Sequence, residues 1–257
     1  MPTPLELLTD PVSLAVFAVY GALMLWEAAA PARRLPHVRL WRLRGLATFA
    51  LYFMLSSYLP LLWSEQLAGW QLLDLGGLGT AGGALAGVLL YEAGVYAWHR
   101  TMHASPTLWR LFHQMHHSAE RIDTYGAFWA HPLEMCAWIA LFSLSLTLVL
   151  GLGAEASTGV ILATTFFSVF QHANVRTPRW LGFLVQRPES HSLHHARGVH
   201  GHNYSDLPVF DLLFGTFRNP AAHAGATGFY DGASTRVPEM LLAQDVSRPA
   251  GRRAAAV

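Results

Sequence analysis

Five stretches of this chain run without a single Asp, Glu, Lys or Arg: Pro11 to Trp26, Gly45 to Ser64, Leu75 to Tyr91, Met135 to Ala154 and Ala156 to Val175. A helix that crosses a bilayer needs roughly 17 to 25 mainly apolar residues. The expected fold is therefore all-α, an integral membrane helical bundle of four to five spans. A soluble protein with buried hydrophobic helices is the alternative, but 53% hydrophobic and 13% charged residues sit poorly with an ordinary soluble domain. The last two stretches are separated by Glu155 alone, which suits a tight hairpin. If that hairpin enters the membrane only halfway, the count falls to four. Three alanines, Ala28 to Ala30, follow the first stretch, yet its leader carries Glu6 and Asp10 and no positive charge, so a retained span is expected there rather than a cleaved signal.

Charge placement orients the spans, because arginines near span ends stay on the cytoplasmic side. Arg33, Arg34, Arg39, Arg42 and Arg44 lie between the first two stretches, and every later arginine follows the third or the fifth. The opposite-side segments hold Glu6, Asp10, Glu65, Asp74 and Glu155 and no arginine. Five spans then put the N-terminus outside the cell membrane. They put Trp98 to Pro132 and everything after Val175 on the cytoplasmic face. Trp180 to Gln186 and Leu207 to Phe217 are short apolar pieces broken by proline, expected at the interface or over a metal site. Residues 1–90 form an N-terminal membrane region, 91–220 a catalytic region containing the 135–175 hairpin, and 221–257 a tail whose last ten or so residues are expected to be disordered.

Several classes of function drop out early. Seventeen basic against 16 acidic residues leave a net charge of +1, so no nucleic-acid partner is expected. One cysteine, Cys136, makes neither an internal disulfide nor a thiolate cluster. Gly77-Leu-Gly79-Thr-Ala-Gly82 has the spacing of a dinucleotide loop but opens an apolar helical run with no strand before it, so these glycines are expected to serve helix packing. The motifs of serine hydrolases and zinc peptidases are missing.

What remains is histidine. Twelve of the 14 fall between His99 and His202. His99 and His103 are four apart, so on a helix both imidazoles leave one face. In His113-x-x-His116-His117 and His191-x-x-His194-His195 the adjacent pair points about 100 degrees apart, so one segment can serve two metals. His131 and His172 stand singly at the edges of the fourth and fifth stretches. His37 and His223 are expected to be ordinary interfacial polar residues. Nine or ten imidazoles exceed the need of one ion, and such sites suit iron or copper as well as zinc. A dinuclear centre is the natural count. Glu92, seven residues before His99 and inside a span, is a functional candidate by its position alone, as a partner for a histidine N–H or a proton relay, unless it only pairs with an arginine. A haem-binding electron carrier would instead place single histidines deep in facing spans, and a metal transporter would want charge along its path.

These segments resemble the membrane-bound fatty acid hydroxylase and sterol desaturase superfamily. The motifs stand here as His99-Arg-Thr-Met-His103, His113-Gln-Met-His116-His117 and His191-Ser-Leu-His194-His195, with His131-Pro-Leu-Glu134 and Asn203-Tyr204 as accessory phrases. The likeness runs from about Tyr91 to Pro220. It implies two iron ions, dioxygen as co-substrate and a membrane lipid as substrate. It implies these eight histidines as iron ligands and His172 as a ninth. Some members carry another histidine four residues after that ninth, where this chain has Arg176; His131, His200 or His202 is expected to fill the gap. The expected reaction is hydroxylation of a lipid C–H bond, with desaturation or oxidative demethylation on the same scaffold as alternatives. Electrons are expected from a separate reductase, ferredoxin or cytochrome. Fatty acyl chains, sterols and related lipids all fit, and the residues specify no oligomeric state.

Overall fold

The computed structural model describes residues 1–249; their regular structure is helical, with the antiparallel bridge Ala196–Thr227 as the single β pairing among them. The main helices are α1 (Pro11–Ala29), α2 (Trp41–Tyr58), α3 (Gly79–Ala104), α4 (Gln114–His117), α5 (Pro132–Ser143), α6 (Ala154–His172), α7 (Pro188–His194) and α8 (Pro208–Leu213). Their starts follow local chemistry. The Asp10 carboxylate caps α1 by accepting from the Val12 and Ser13 amides at 2.8 and 3.4 Å. Proline opens α1, α5, α7 and α8 at the first turn, where its missing N–H costs nothing.

Four helical segments are long and apolar enough to cross a membrane: Pro11–Ala29, Trp41–Leu62, Gly76–Ala104 and Pro132–Val149. Helix α6 is outside this group, since Ser157, Thr158, Thr164, Thr165, Ser168 and Gln171 dilute its hydropathy. It nevertheless runs alongside α3 in the same direction, start beside start and end beside end. Glu155 at its start accepts from the Thr80 hydroxyl at 2.8 Å, and His172 at its end lies among the other histidines. The second arm of the hairpin thus reaches from the Thr80 end of α3 to the histidines.

Close packing of α3 on α6 uses glycines, but not those of the G-x-G-x-x-G stretch. A Cβ added at Gly83 would stand 2.9 Å from Ala156 Cβ, and one at Gly87 would stand 2.7 Å from Val160 Cγ2. Gly77 faces open space and Gly79, at φ +67°, sits at the helix start. Small residues four apart let two backbones approach in the absence of a hydrophobic drive. On the other flank Tyr20 of α1 and Phe49 of α2 pack at 4.5 Å between ring centroids, with Phe128 against both.

A polar cap closes one end of the bundle. It comprises α4, α7, α8 and the loops between them, and the α1–α2 connection is tied into it. The Ala32 amide donates to Asn174 O at 2.7 Å, the Asn174 side chain to Arg33 O at 2.8 Å, and the Arg121 guanidinium to Pro36 O at 3.0 Å. Arginine-rich loop and histidine segments therefore share one end, as the charge pattern required. The part of the tail before residue 249 packs on the cap: Met240 and Val246 are fully buried in a cluster with Trp41, Met115 and Trp129. The Gln114 amide donates to Gln244 O at 2.8 Å, which holds the tail against α4. The terminal stretch beyond residue 249 lies outside the described residues.

The segments expected at the interface present a row of exposed apolar side chains: Trp180, Phe183, Leu213 and Phe214 are each more than half exposed.

Candidate metal centre

The structure brings together nine histidines, those of the three motifs plus His172, and divides them into two groups. His99, His103, His113, His117 and His194 form one; His116, His172, His191 and His195 form the other. The division follows helix geometry. Residues four apart stay together (99 with 103, 113 with 117, 191 with 195), while the adjacent pairs 116/117 and 194/195 split. His117 and His195 stack across the boundary with ring centroids 4.2 Å apart.

The rings are held from behind. Nδ1 of His99 donates to Tyr204 O at 2.7 Å, that of His116 to Trp129 O at 3.1 Å, that of His172 to Ser168 O at 2.6 Å and that of His194 to His202 O at 2.7 Å. His113 Nδ1 donates to Glu134 Oε1 at 2.6 Å, and Trp138 Nε1 shares that oxygen at 3.2 Å. An oxygen that only accepts fixes the tautomer, so each of these imidazoles turns a bare Nε2 lone pair inward.

Those lone pairs meet. In the first group His99 Nε2 and His113 Nε2 are 2.8 Å apart, and in the second His116 Nε2 and His172 Nε2 are 3.2 Å apart. Neither pair has a proton to share, and the contact would be repulsive without a cation. Nε2 of His103 and of His194 are buried with no partner at all. Burial first, and neighbouring imidazoles next, push His113, His117, His191, His194 and His195 well below the ordinary histidine range. Burial takes His116 down to about 4. That direction favours the neutral ring, which is the form that binds a transition metal. Each group has the donor set to hold one.

The remaining expected residues sit outside both groups. His131 caps α5, its Nδ1 accepting from the Leu133 amide at 3.0 Å. His202 contributes its carbonyl to His194 but no imidazole to either group. His200 comes nearest, with Nδ1 3.0 Å from His117 Nδ1, so it touches a cluster ring from behind. Arg176 lines a different cavity. Glu92 is fully buried but does not contact a histidine or an arginine: its Oε2 accepts from the amides of Asp206 and Leu207 at 2.9 and 3.3 Å. It fastens the chain entering α8 to the middle of α3.

Several residues here carry no spacing signal of their own. Gln186 donates to Gln171 Oε1 at 2.8 Å and Asn203 O at 3.0 Å and stands 3.1 Å from His191 Nδ1. Gln171 in turn donates to Asp206 at 2.7 Å. Glu134 had a trace in the sequence, in its phrase with His131; the partnership with His113 required the fold.

A cavity of about 110 Å³ opens between the bundle and the histidines. Its bundle side is lined by Tyr52, Tyr91, Phe128, Met135 and Trp138, and imidazoles from both groups form its floor. An apolar chain entering from the bundle would end against the histidines.

The sequence matches the fatty acid hydroxylase family over residues 84–216, which contain all three histidine motifs and His172. It is similar to ornithine lipid hydroxylase OlsE of Rhizobium tropici, 32% identical over 176 residues, 65% of this chain and 50% of that protein. The chain thus spans about half the length of that curated relative. No solved structure matches.

Proposed function

The chain belongs to the fatty acid hydroxylase family, and on that premise we propose that it is an oxygen-dependent oxidoreductase that hydroxylates a C–H bond of a membrane lipid at two histidine-bound irons. One observation carries this reading: two groups of inward-facing imidazoles floor a cavity whose bundle side is mainly aromatic and aliphatic, with Tyr52, Tyr91, Val95, Phe128, Met135 and Trp138. His99, His103, His113, His117 and His194 would hold one iron, and His116, His172, His191 and His195 the other. Bound iron would supply the one-electron chemistry and dioxygen activation that no side chain provides.

The protein's own part is positional. The carbonyls of Tyr204, Trp129, Ser168 and His202 lock four rings in one orientation, and Glu134 does the same for His113 while raising its basicity. The aromatic wall excludes water from the reacting carbon and limits which carbon can reach the histidines. Electrons come from a separate reductase, ferredoxin or cytochrome, which meets the cap on the cytoplasmic face of the inner membrane.

Purified protein supplied with iron, a reductase system and isotopically labelled dioxygen should convert a lipid C–H to a C–OH that carries the label. Label entering from water, with exchange excluded, would remove the hydroxylase reading. A new double bond with no oxygen gained would move the assignment to desaturation.

A further inference from the structure

A second cavity, of about 400 Å³, lies on the cap away from the histidine groups. Arg33, Arg176, Thr177, Glu189 and His223 line it, and its size falls in the usual range of small-molecule sites. Its donors are underused. Arg33 Nε and His223 Nε2 are buried without a partner, and Arg176 makes one long hydrogen bond, 3.5 Å to Ala32 O. The one carboxylate in the lining is already engaged: Glu189 accepts from the Thr177 amide at 2.9 Å and hydroxyl at 2.7 Å, and fully buried Arg187 stands 3.8 Å behind it. Arg187 itself donates to Thr177 O and Pro220 O, which fixes the wall. Two lining guanidiniums, of which Arg33 has one Nη1 bond to Ala224 O, thus share the cavity with one engaged carboxylate. Buried donors left unpaired are costly, and an arginine fork matches a tetrahedral oxyanion.

The depth of the cavity is set by the helices. Arg33 lies four residues past the end of α1, and Arg176 four residues past the end of α6. Two apolar helices stop just short of it, which is headgroup level if the bundle spans a bilayer. Burial brings His223 down to about 4, against an opposing pull from Glu189, so the cavity's positive charge belongs to the guanidiniums.

We propose that this cavity binds a phosphate group, carried either by the headgroup of a membrane lipid or by free inorganic phosphate, with Arg33 and Arg176 as charged donors and His223 as a neutral one. The site is separate from the histidine groups and does not depend on what they bind.

The test uses the full chain in detergent. Native mass spectrometry compares adducts of phosphatidylglycerol with those of diacylglycerol of the same acyl chains, which differs by the phosphate headgroup. Thermal unfolding is followed in parallel with millimolar inorganic phosphate. The wild-type protein should prefer the phospholipid, gain melting temperature from phosphate, or both, and Arg176→Ala should weaken the effect about tenfold. Arg33→Gln should do the same, and Arg39→Ala should not. Phospholipid preference alone assigns the headgroup; stabilisation by phosphate alone assigns the free ion. Arg176 is exposed, so its variant should fold even where Arg33→Gln does not, and it decides the matter by itself. No response to either probe in the wild type, or equal responses in wild type and Arg176→Ala, overturns the proposal.

Discussion

The bundle and the cap solve the problem of buried backbone in opposite ways. In α1, α2, α3 and α6 the helix satisfies its own N–H and C=O groups, so side chains have only to pack, and they do so with glycines, aliphatics and an aromatic ladder. The cap is mostly loop, and carboxylates replace the helix ladder. Asp211, fully buried, accepts from the Tyr204 amide at 2.8 Å, the Ser205 amide at 3.1 Å and the Thr216 hydroxyl at 2.6 Å. Glu120 accepts from the amides of Gly232 and Ser234 and from the Ser234 hydroxyl. Glu27 and Glu92 reach out of α1 and α3 to bind cap amides in the same manner. The cap therefore depends on particular atoms and the bundle on shape. A histidine centre needs the first kind of support, because ring orientation matters there to fractions of an ångström.

The largest effects should come from the cap's centre. His103→Ala, His117→Ala and His194→Ala in one group, and His116→Ala in the other, should abolish lipid oxidation and lower the iron content, measured by elemental analysis of purified protein. His37→Ala, outside both groups, should keep both. Equal loss in all five variants would show that the two groups are not the site. One step outward, Glu134→Leu strips His113 of its acceptor while keeping the side chain's bulk, and should cost about 10- to 100-fold in iron affinity or turnover.

Stability should divide along the same line. Glu120→Ala leaves three donors facing a void, two of them backbone amides, and should cost about 2–3 kcal/mol, with the segment around Thr227 to Ser234 becoming open to protease. Gly87→Leu forces bulk against Val160 and Leu152 and should cost about 1–3 kcal/mol. Leu85→Val, on an exposed face of the same helix, should change the melting temperature little. An exposed bundle position such as Leu85 as intolerant of apolar exchange as Glu120 is of truncation would erase the distinction drawn between the two regions.

The same distinction explains what the sequence disclosed. Hydropathy marks a helix that solvates itself, so the apolar helices are legible to within about five residues at most ends, except that α3 runs on past Tyr91 to Ala104; α6 is legible as an uncharged run although its hydroxyls dilute it. Spacing marks the histidines, because i, i+4 and adjacent-pair geometry is a property of one helix, and the split of 116 from 117 and of 194 from 195 follows from it. The supporting atoms were not legible. Carbonyls of Tyr204 and Trp129 have no sequence signature, and Gln186 meets Gln171 and Asn203 only after the chain folds back. Glu92 stands out in the sequence as a carboxylate inside a span, but its partners are amides more than 110 residues away rather than a histidine or an arginine. The packing glycines Gly83 and Gly87 were overlooked in favour of the G-x-G-x-x-G spelling a few residues earlier.

The smallest perturbation tests the widest claim. All described links between the α1–α2 loop and the chain after His172 lie at the histidine end, through Ala32, Arg33 and Asn174. At the other end, Leu72 and Leu73 pair with Leu148 and Val149, and the neighbouring charged residues are Glu65, Asp74 and Glu155, with no arginine. Arginines flanking spans are retained inside the cell, so the cap should be cytoplasmic and the Leu72 end outside. Single cysteines read this directly in a Cys136→Ser background. Leu72 and Val199 have exposed side chains at opposite ends, so Leu72→Cys and Val199→Cys should leave folding unchanged. A membrane-impermeant maleimide should label Leu72→Cys in intact cells and Val199→Cys only after lysis. The reverse pattern would turn the molecule over and move the electron donor to the other face, while leaving the histidine groups as they are. Labelling of both from outside would mean that the helices do not separate the two ends by a bilayer at all.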